Sequence, residues 1–505
     1  MTSMNIAIRI DASSQIGTGH FMRCLTLADA LSLRGAQIRF ISRNLLEHLQ
    51  DLLLNKGYEF MMLKKQTNET SSDDLAHSHW LGATQQYDAD EALKLLSDRI
   101  WDWLVVDHYA LDARWESALR KSAKRILVID DLADRMHDCD ILLDQNYYAD
   151  KETRYTGKVP ANCQLLLGPR YALLREEFRQ WRQQVKPRTG LVKRILVFFG
   201  GVDADNFTGL TIEALAGLGL SGVHIDVVIG AQHPYREQIE SACLEYMFSC
   251  YVQTDRMAEL MAKADLAIGA GGSATWERCC LGLPAFAICT ASNQSKQVAD
   301  AASRGLLYTS EINDGLKTLI KRHLPALIDN SHLIKFISNN DLQTVDGRGV
   351  SRVIRNMGCS RIEIRIATEG DSEKIFEWRN HQTVRAVSRN SEVISWEDHQ
   401  KWLAEVLSSQ VQALLIGYSN GLEIGVVRFD SRDYEAEVSI YLVPGIKESG
   451  LGSDLLQIGE QWFTTHFPQI QKIFACVLGD NSRSNHLFLG AGYRVESTSY
   501  IKELA

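Results

Sequence analysis

The stretch Ile6-Ala7-Ile8-Arg9-Ile10-Asp11-Ala12-Ser13-Ser14-Gln15-Ile16-Gly17-Thr18-Gly19-His20 sets the architecture of the first half of the chain. Residues 6–10 are a short isoleucine-rich run of β character. Gly17 and Gly19 permit a tight turn. Residues 21–33 then read as a helix that stops near Gly35. Outward from this unit, apolar β-branched runs recur at 38–42, 104–106, 126–129 and 141–143. Buried parallel strands joined by helices produce this pattern.

Residues 175–194 are polar, rich in Arg and Gln, and contain Pro187 and Gly190, which reads as a helix end followed by a linker. The pattern then restarts. Residues 195–199 run into Gly200-Gly201, 225–229 into Gly230, and 266–268 into Gly269-Ala270-Gly271-Gly272, while 285–288 follow Pro284. The expected fold class is α/β, with two doubly wound lobes at 4–180 and 191–357 and a ligand site in the cleft between them. A third unit, 361–503, opens on the alternating run 362–366, followed by a helix over 371–379. Strands are expected at 413–417, 424–429, 436–443 and 473–478, with a helix at 451–463, giving an α+β domain of mostly antiparallel neighbours.

The chain has 505 residues, more than one hydrophobic core usually serves. Apolar residues make up 45% and charged residues 23%, which excludes a disordered chain. A net charge of −9 argues against a nonspecific nucleic-acid binder. No secretory signal pattern and no membrane-length apolar run is evident. The ten cysteines are scattered without a Cys-x-x-Cys pair, so neither a metal site nor a disulfide framework is expected, and a cytoplasmic setting fits. Oligomeric state stays open.

His20 falls at the entrance of the first helix, where the partial positive charge of the helix end favours a neutral imidazole able to act as general base. The alternative is a histidine that merely caps the helix. The run Gly269-Ala270-Gly271-Gly272-Ser273-Ala274-Thr275-Trp276-Glu277 again joins strand to helix. Its backbone N–H groups suit a diphosphate, Ser273 and Thr275 add donors, and Glu277 suits ribose hydroxyls. The alternative is a glycine-rich turn with an acidic residue that favours the helix dipole.

These pieces, continued by Phe21-Met22-Arg23-Cys24-Leu25-Thr26-Leu27-Ala28, resemble the UDP-sugar hydrolases of pseudaminic acid synthesis, enzymes similar in fold to GT-B transferases. Val106-Asp107-His108-Tyr109, Asp130-Asp131, Asp144-Gln145-Asn146, residues 167–175 and Asn293-Gln294 extend the match over about residues 4–357. The resemblance implies hydrolysis of UDP-2,4-diacetamido-2,4,6-trideoxy-β-L-altropyranose. His20 would take a proton from water attacking the anomeric carbon, and the Gly17-Thr18-Gly19 loop would shape the site. Tyr109 and Asp107 would line the sugar side, although Asp107 equally reads as a strand-end cap. Gly271, Gly272, Ser273, Thr275, Glu277, Asn293 and Gln294 would contact the nucleotide or sugar, and no metal is implied.

Residues 443–456 form a strand, loop and helix start that resembles the acetyl-CoA loop of the GCN5-related N-acetyltransferases. Gly450 and Gly452 fit that pattern, while Lys447 stands where Gln or Arg is usual. The resemblance implies acetyl-CoA contacts from Val443, Lys447, Ser449, Gly450, Leu451, Gly452, Asn481 and Ser484. Many members have tyrosine where this chain has Phe488, and that tyrosine commonly protonates the departing thiolate. Tyr441 and Tyr493 are the candidate substitutes. Residues 377–381 and 396–402 resemble acceptor-side helices, with Trp402 read as core. The fusion implies N-acetylation of a UDP-4-amino-sugar followed by hydrolysis. The competing readings are a glycosyltransferase, or a nucleotide-sugar-binding module, joined to an acetyltransferase of another amine.

Overall fold

The computed structural model describes residues 4–13, 15–66, 73–291, 294–359, 362–419, 422–446, 450–478 and 481–496. The chain divides after Met357 into two compact units. The first carries a seven-stranded sheet of β1 (Asn5–Ile10), β2 (Gln37–Ser42), β3 (Glu59–Met62), β4 (Trp101–Asp107), β5 (Ala123–Ile129), β6 (Ile141–Asp144) and β7 (Gln164–Leu167). The order is β3-β2-β1-β4-β5-β6-β7, with every pair parallel. Its second sheet holds β8 (Arg194–Phe198), β9 (His224–Ile229), β10 (Ser249–Val252), β11 (Leu266–Ala270) and β12 (Ala285–Ile288), in the parallel order β10-β9-β8-β11-β12.

Central strands are apolar on both faces because helices cover both. Ile6, Ala7, Ile8 and Ile10 are fully buried. Arg9 is buried with them, and two carboxylates compensate it: Asp11 at 2.7 Å and Asp88 at 2.9 Å. Strand order reverses between β1 and β4 and again between β8 and β11. At such reversals adjacent loops part and leave a crevice at the strands' carboxyl ends. The His20 loop leaves β1 and Asp107 ends β4, one on each side of the first reversal. The glycine-rich loop leaves β11 at the second.

The chain crosses between the two sheets' territories twice. Residues 176–182, expected to finish a helix before a linker, form a helix whose Phe178 packs in the core of the second sheet with Trp276 and Cys280. The helix Gly349–Asn356 returns to the first sheet. There Arg352 Nη1 donates to the Arg170 carbonyl at 2.8 Å, and Trp103 Nε1 donates to the Met357 carbonyl at 2.9 Å.

The second unit is a sheet of β13 (Ile362–Ile366), β14 (Gln412–Ser419), β15 (Leu422–Arg432), β16 (Glu435–Leu442) and β17 (Lys472–Phe474), in that order. All neighbours are antiparallel except β16 and β17. The strand expected over 473–478 is shorter, because its ladder with β16 covers only Glu435–Glu437 and then stops. The helix Leu451–His466 buries Leu455, Leu456 and Phe463 in one core with Val427 and Phe429. Among the described residues no helix is long and apolar enough to cross a membrane.

Candidate active sites

Thr18, not His20, is the N-cap of the helix Gly19–Ser32. Freed from capping, His20 places Nδ1 2.6 Å from Asp107 Oδ1. Arg23, one turn further on the same helix face, donates through Nε to Asp107 Oδ2 and through Nη2 to Oδ1, both at 2.6 Å. Cys24 Sγ adds a contact to Oδ2 at 3.4 Å. Asp107 is therefore no strand-end cap, since its carboxylate is taken up by side chains. Burial would raise its pKa, but the charges and hydrogen bonds of Arg23 and His20 outweigh burial and hold it well below the usual range. An ionised Asp107 accepts Nδ1–H and leaves the Nε2 lone pair of His20 as the base position.

The Tyr109 ring stands edge-on to His20, with centroids 4.6 Å apart and planes at 81°. Its hydroxyl donates to Asp131 Oδ1. Burial and then the Asp131 charge push the phenol well above its ordinary pKa, so it stays protonated. Asp131 also accepts from Asn146 Nδ2 at 3.0 Å and faces Arg23 Nη1 at 3.4 Å. Trp80 stacks on Tyr109 at 5.6 Å, with His77 against both rings. The structure thus brings His20, Asp107 and Tyr109 together as the sequence suggests. It adds Arg23, Asp131 and Asn146, whose motifs were visible without a role. His108 is a buried loop residue with Nε2 3.1 Å from Asp11.

Gly17 has φ of +77°, which the turn requires and other residues resist. A Cβ at Gly19 would sit 3.6 Å from Ser273 Oγ, so the two glycine-bearing loops face each other across the cleft. Gly271 serves a different need: its Cβ would lie 2.2 Å from Val298 Cγ2. The Gln294 amide lies over the loop, within 3.3 Å of a Cβ built on Gly272. Ser273 is exposed, whereas Thr275 is buried and its hydroxyl oxygen accepts from Arg278 Nη2 at 3.1 Å. Thr275 is thereby turned to internal support of the loop. Glu277 is half-buried and meets Arg175 Nη2 at 3.5 Å; burial raises its pKa and Arg175 partly offsets that. Asn293 lies outside the described residues.

In the second unit, Gly450 is the left-handed N-cap of the helix Leu451–His466, at φ +97°. Val443 directly follows β16, its N–H bonded to the Ile424 carbonyl at 2.9 Å. Lys447 and Ser449 lie outside the described residues. Gly452 follows in the first turn, where a Cβ would meet Leu442 and Leu487 only at 3.9 Å. Asn481 caps the helix Ser482–Ala491 by accepting from Ser484 N at 3.1 Å, so its carbonyl oxygen is already engaged.

Where β17 leaves β16, a cavity of about 490 Å³ opens. Arg379, Asp398, His399, Arg428, Glu437 and Tyr441 supply its polar wall, and Asn481, Ser484 and Phe488 close one side. Tyr441 packs against the same buried cluster as Trp378 and Trp402. Burial raises its pKa against the lowering pull of Arg379 and Arg428. Tyr493 instead donates its hydroxyl to Glu460 Oε1 at 2.5 Å and is absent from the cavity wall. Trp402, read as core, both packs in the core and lines the cavity, with the Arg428 guanidinium 5.7 Å from its ring.

Residues 364–500 match the family model described as "Acetyltransferase (GNAT) domain". An uncharacterized protein of Methanocaldococcus jannaschii is 24% identical over 418 residues, 79% of this chain and 78% of that one. The UDP-2,4-diacetamido-2,4,6-trideoxy-beta-L-altropyranose hydrolase of Campylobacter jejuni is 27% identical over 304 residues, 60% of this chain and 97% of the relative. Among solved structures, MurG of Acinetobacter baumannii is 15% identical with a TM-score of 0.48, covering 70% of this chain and 99% of that one. The chain thus joins an α/β body of two parallel sheets, similar in sequence to that UDP-sugar hydrolase, to a C-terminal GNAT acetyltransferase domain.

Proposed function

We propose that the chain carries out two steps of pseudaminic acid synthesis: acetylation of the 4-amino group of a UDP-amino-sugar, then hydrolysis of the product to UDP and free sugar. The observation that carries the hydrolase half is the Asp107–His20 pair, set at a strand-order reversal and facing the glycine-rich loop. His20 Nε2 takes a proton from water while Nδ1–H donates to Asp107. The water oxygen bonds to the anomeric carbon, and the bond from that carbon to the UDP oxygen breaks. Asp107 stays ionised throughout and stabilises the imidazolium. N–H groups of the loop after β11, with Gln294 and Ser273 beside it, stabilise the departing diphosphate. The substrate is taken from the Campylobacter jejuni relative.

In the acetyltransferase half, the ladder that stops at Glu437 leaves the rest of β16 beside the cavity, and Gly450 turns the loop into a 16-residue helix. This arrangement suits an extended acetyl-CoA arm with its pyrophosphate at the helix start. The acceptor amine attacks the thioester carbon, the carbon–sulfur bond breaks, and sulfur takes a proton. Phe488 has none to give and Tyr493 is committed to Glu460. Tyr441, in the cavity wall, is the donor this reading selects, and the proton released by the amine restores it.

The deciding experiment incubates the protein with UDP-4-amino-4,6-dideoxy-N-acetyl-β-L-altrosamine and acetyl-CoA, following products by NMR and mass spectrometry. Acetylation followed by UDP release is expected, with release lost in His20→Ala and acetylation retained. Acetylation without UDP release would overturn the hydrolase half in favour of a transferase or a binding module.

A further inference from the structure

A single run of hydrogen bonds beneath the cleft ties the second sheet's territory to His20. Trp276 lies on the helix Ala274–Cys280, directly after the glycine-rich loop, and is fully buried among Phe178, Cys279 and Cys280. Its Nε1–H donates to Asn146 Oδ1 at 2.8 Å. Asn146 follows β6 and is 6% exposed. Its Nδ2–H donates to Asp131 Oδ2 at 3.0 Å. An indole N–H only donates, so the amide oxygen must face it and the orientation of Asn146 is fixed. Asp131 takes the Tyr109 hydroxyl on its other oxygen and faces Arg23. Arg23 holds both oxygens of Asp107, and Asp107 holds His20.

We propose that Trp276 and Asn146 are positioning residues that make the alignment of His20 and Tyr109 depend on how the β8–β12 lobe is seated against the β1–β7 lobe. Two features support this. Trp276 is locked in the core of one sheet, so its indole N–H moves with that lobe as a rigid point. Asn146 follows a strand of the other sheet and has no spare amide orientation to absorb a shift. Displacing the glycine-rich loop therefore leaves a buried amide oxygen unpaired or moves Asp131, and a small displacement of a reacting group costs rate steeply.

The kinetic readout rests on the hydrolase reading, so a second readout is independent of it. Trp276→Phe removes the donor and keeps an aromatic ring at the site, though a smaller one in a fully buried position; Asn146→Ala removes the link itself. For both variants and the double variant, kcat of UDP release and the affinity for UDP are measured. The imidazole ¹⁵N–¹H signals of His20, identified by their loss in His20→Ala, are recorded with and without UDP. Each single variant is expected to lose about ten- to a hundredfold in kcat while keeping UDP affinity within about twofold. The double variant should be no slower than the slower single. UDP should shift the His20 signals in the parent and leave them unshifted in Trp276→Phe. Retained UDP affinity shows that the lobe is folded, which separates positioning from a structural defect. An unchanged kcat in Trp276→Phe, losses that multiply, or a His20 shift that survives the substitution overturns the proposal. If the parent binds UDP but hydrolyses no UDP-sugar, the hydrolase reading fails and the His20 signals alone decide the coupling. If UDP neither binds nor shifts His20, both fall.

Discussion

At His20 the decisive neighbour is a carboxylate 87 residues away in sequence. Asp107 is kept ionised by Arg23 at the cost of burying both charges, and its bond to Nδ1 fixes the imidazole tautomer. Asp107→Asn would present an amide to the same nitrogen and release that tautomer. The expected result is a fall in kcat of about 10²–10⁴-fold with little change in KM, read from UDP release. Tyr441→Phe is expected to lower kcat for acetylation by about 10²-fold with KM for acetyl-CoA retained. Adding Phe488→Tyr, which places a phenol in the same cavity wall, should restore part of the loss. Retention of full activity in Tyr441→Phe would remove it as the proton donor. His20, Asp107 and Tyr109 were legible from motif and position. Arg23 and Asp131 were present in the same motifs, yet nothing in one dimension shows that their charges converge on Asp107 and Tyr109.

At the scale of elements, the central strands of the first unit were legible in the pattern and three of its four edge strands were not; β12, an edge strand buried along its length, was. β3, β7 and β10 all lie at sheet edges, and none was expected from the pattern. Glu59-Phe60-Met61-Met62 and Ser249-Cys250-Tyr251-Val252 are only partly buried, so selection for apolar side chains on both faces is relaxed there. The glycine-rich loop shows the converse. Its glycines read as room for a ligand, but Gly269 is required because a Cβ would lie 2.0 Å from the Phe198 carbonyl oxygen, and Gly271 because of Val298. Gly271→Ala should destabilise the first unit by about 1–3 kcal/mol through overpacking against the helix Ser295–Ser303 and weaken UDP binding with it. Calorimetric unfolding and UDP titration of the same variant test this; an unperturbed melting temperature would refute it.

Across the whole molecule, two buried groups give stability the same pH trend. Burial alone would lower the pKa of His137, but Glu116 and Asp130 overcome it and raise it to about 9 from 6.5. Its contribution is complete below 6.5 and is lost as pH rises through about 9. Burial, with Asp131 and Asp130, pushes the Asp144 carboxyl up to about 8, so the folded chain holds a proton there that the unfolded chain releases. That cost grows as pH rises from 3.8 towards about 8. Thermal stability of the first unit should therefore decline from neutral pH towards about pH 9, and His137→Gln should flatten the decline. Neither unit borrows a strand from the other, so fragments 1–357 and 358–505 should each retain their own activity in separate assays. A first fragment ending before Gly349 should melt earlier, because it loses the helix Gly349–Asn356 and its bonds to Arg170.

The sequence by itself determined the fold class, the two glycine-bearing strand–loop–helix turns and the acetyltransferase domain. Local periodicity and glycine placement act over a few residues and are written in order along the chain. Only the tertiary structure decided which residues share charge. Arg23, Asp107, Asp131, Asn146 and Trp276 come from two helices, one strand and two loops, and their hydrogen bonds exist only once the strand order places β1 beside β4 and the second lobe against the first. Likewise, the choice between Tyr441 and Tyr493 turns on where each hydroxyl finds a partner, a property of the folded cavity and not of either residue's neighbours in sequence.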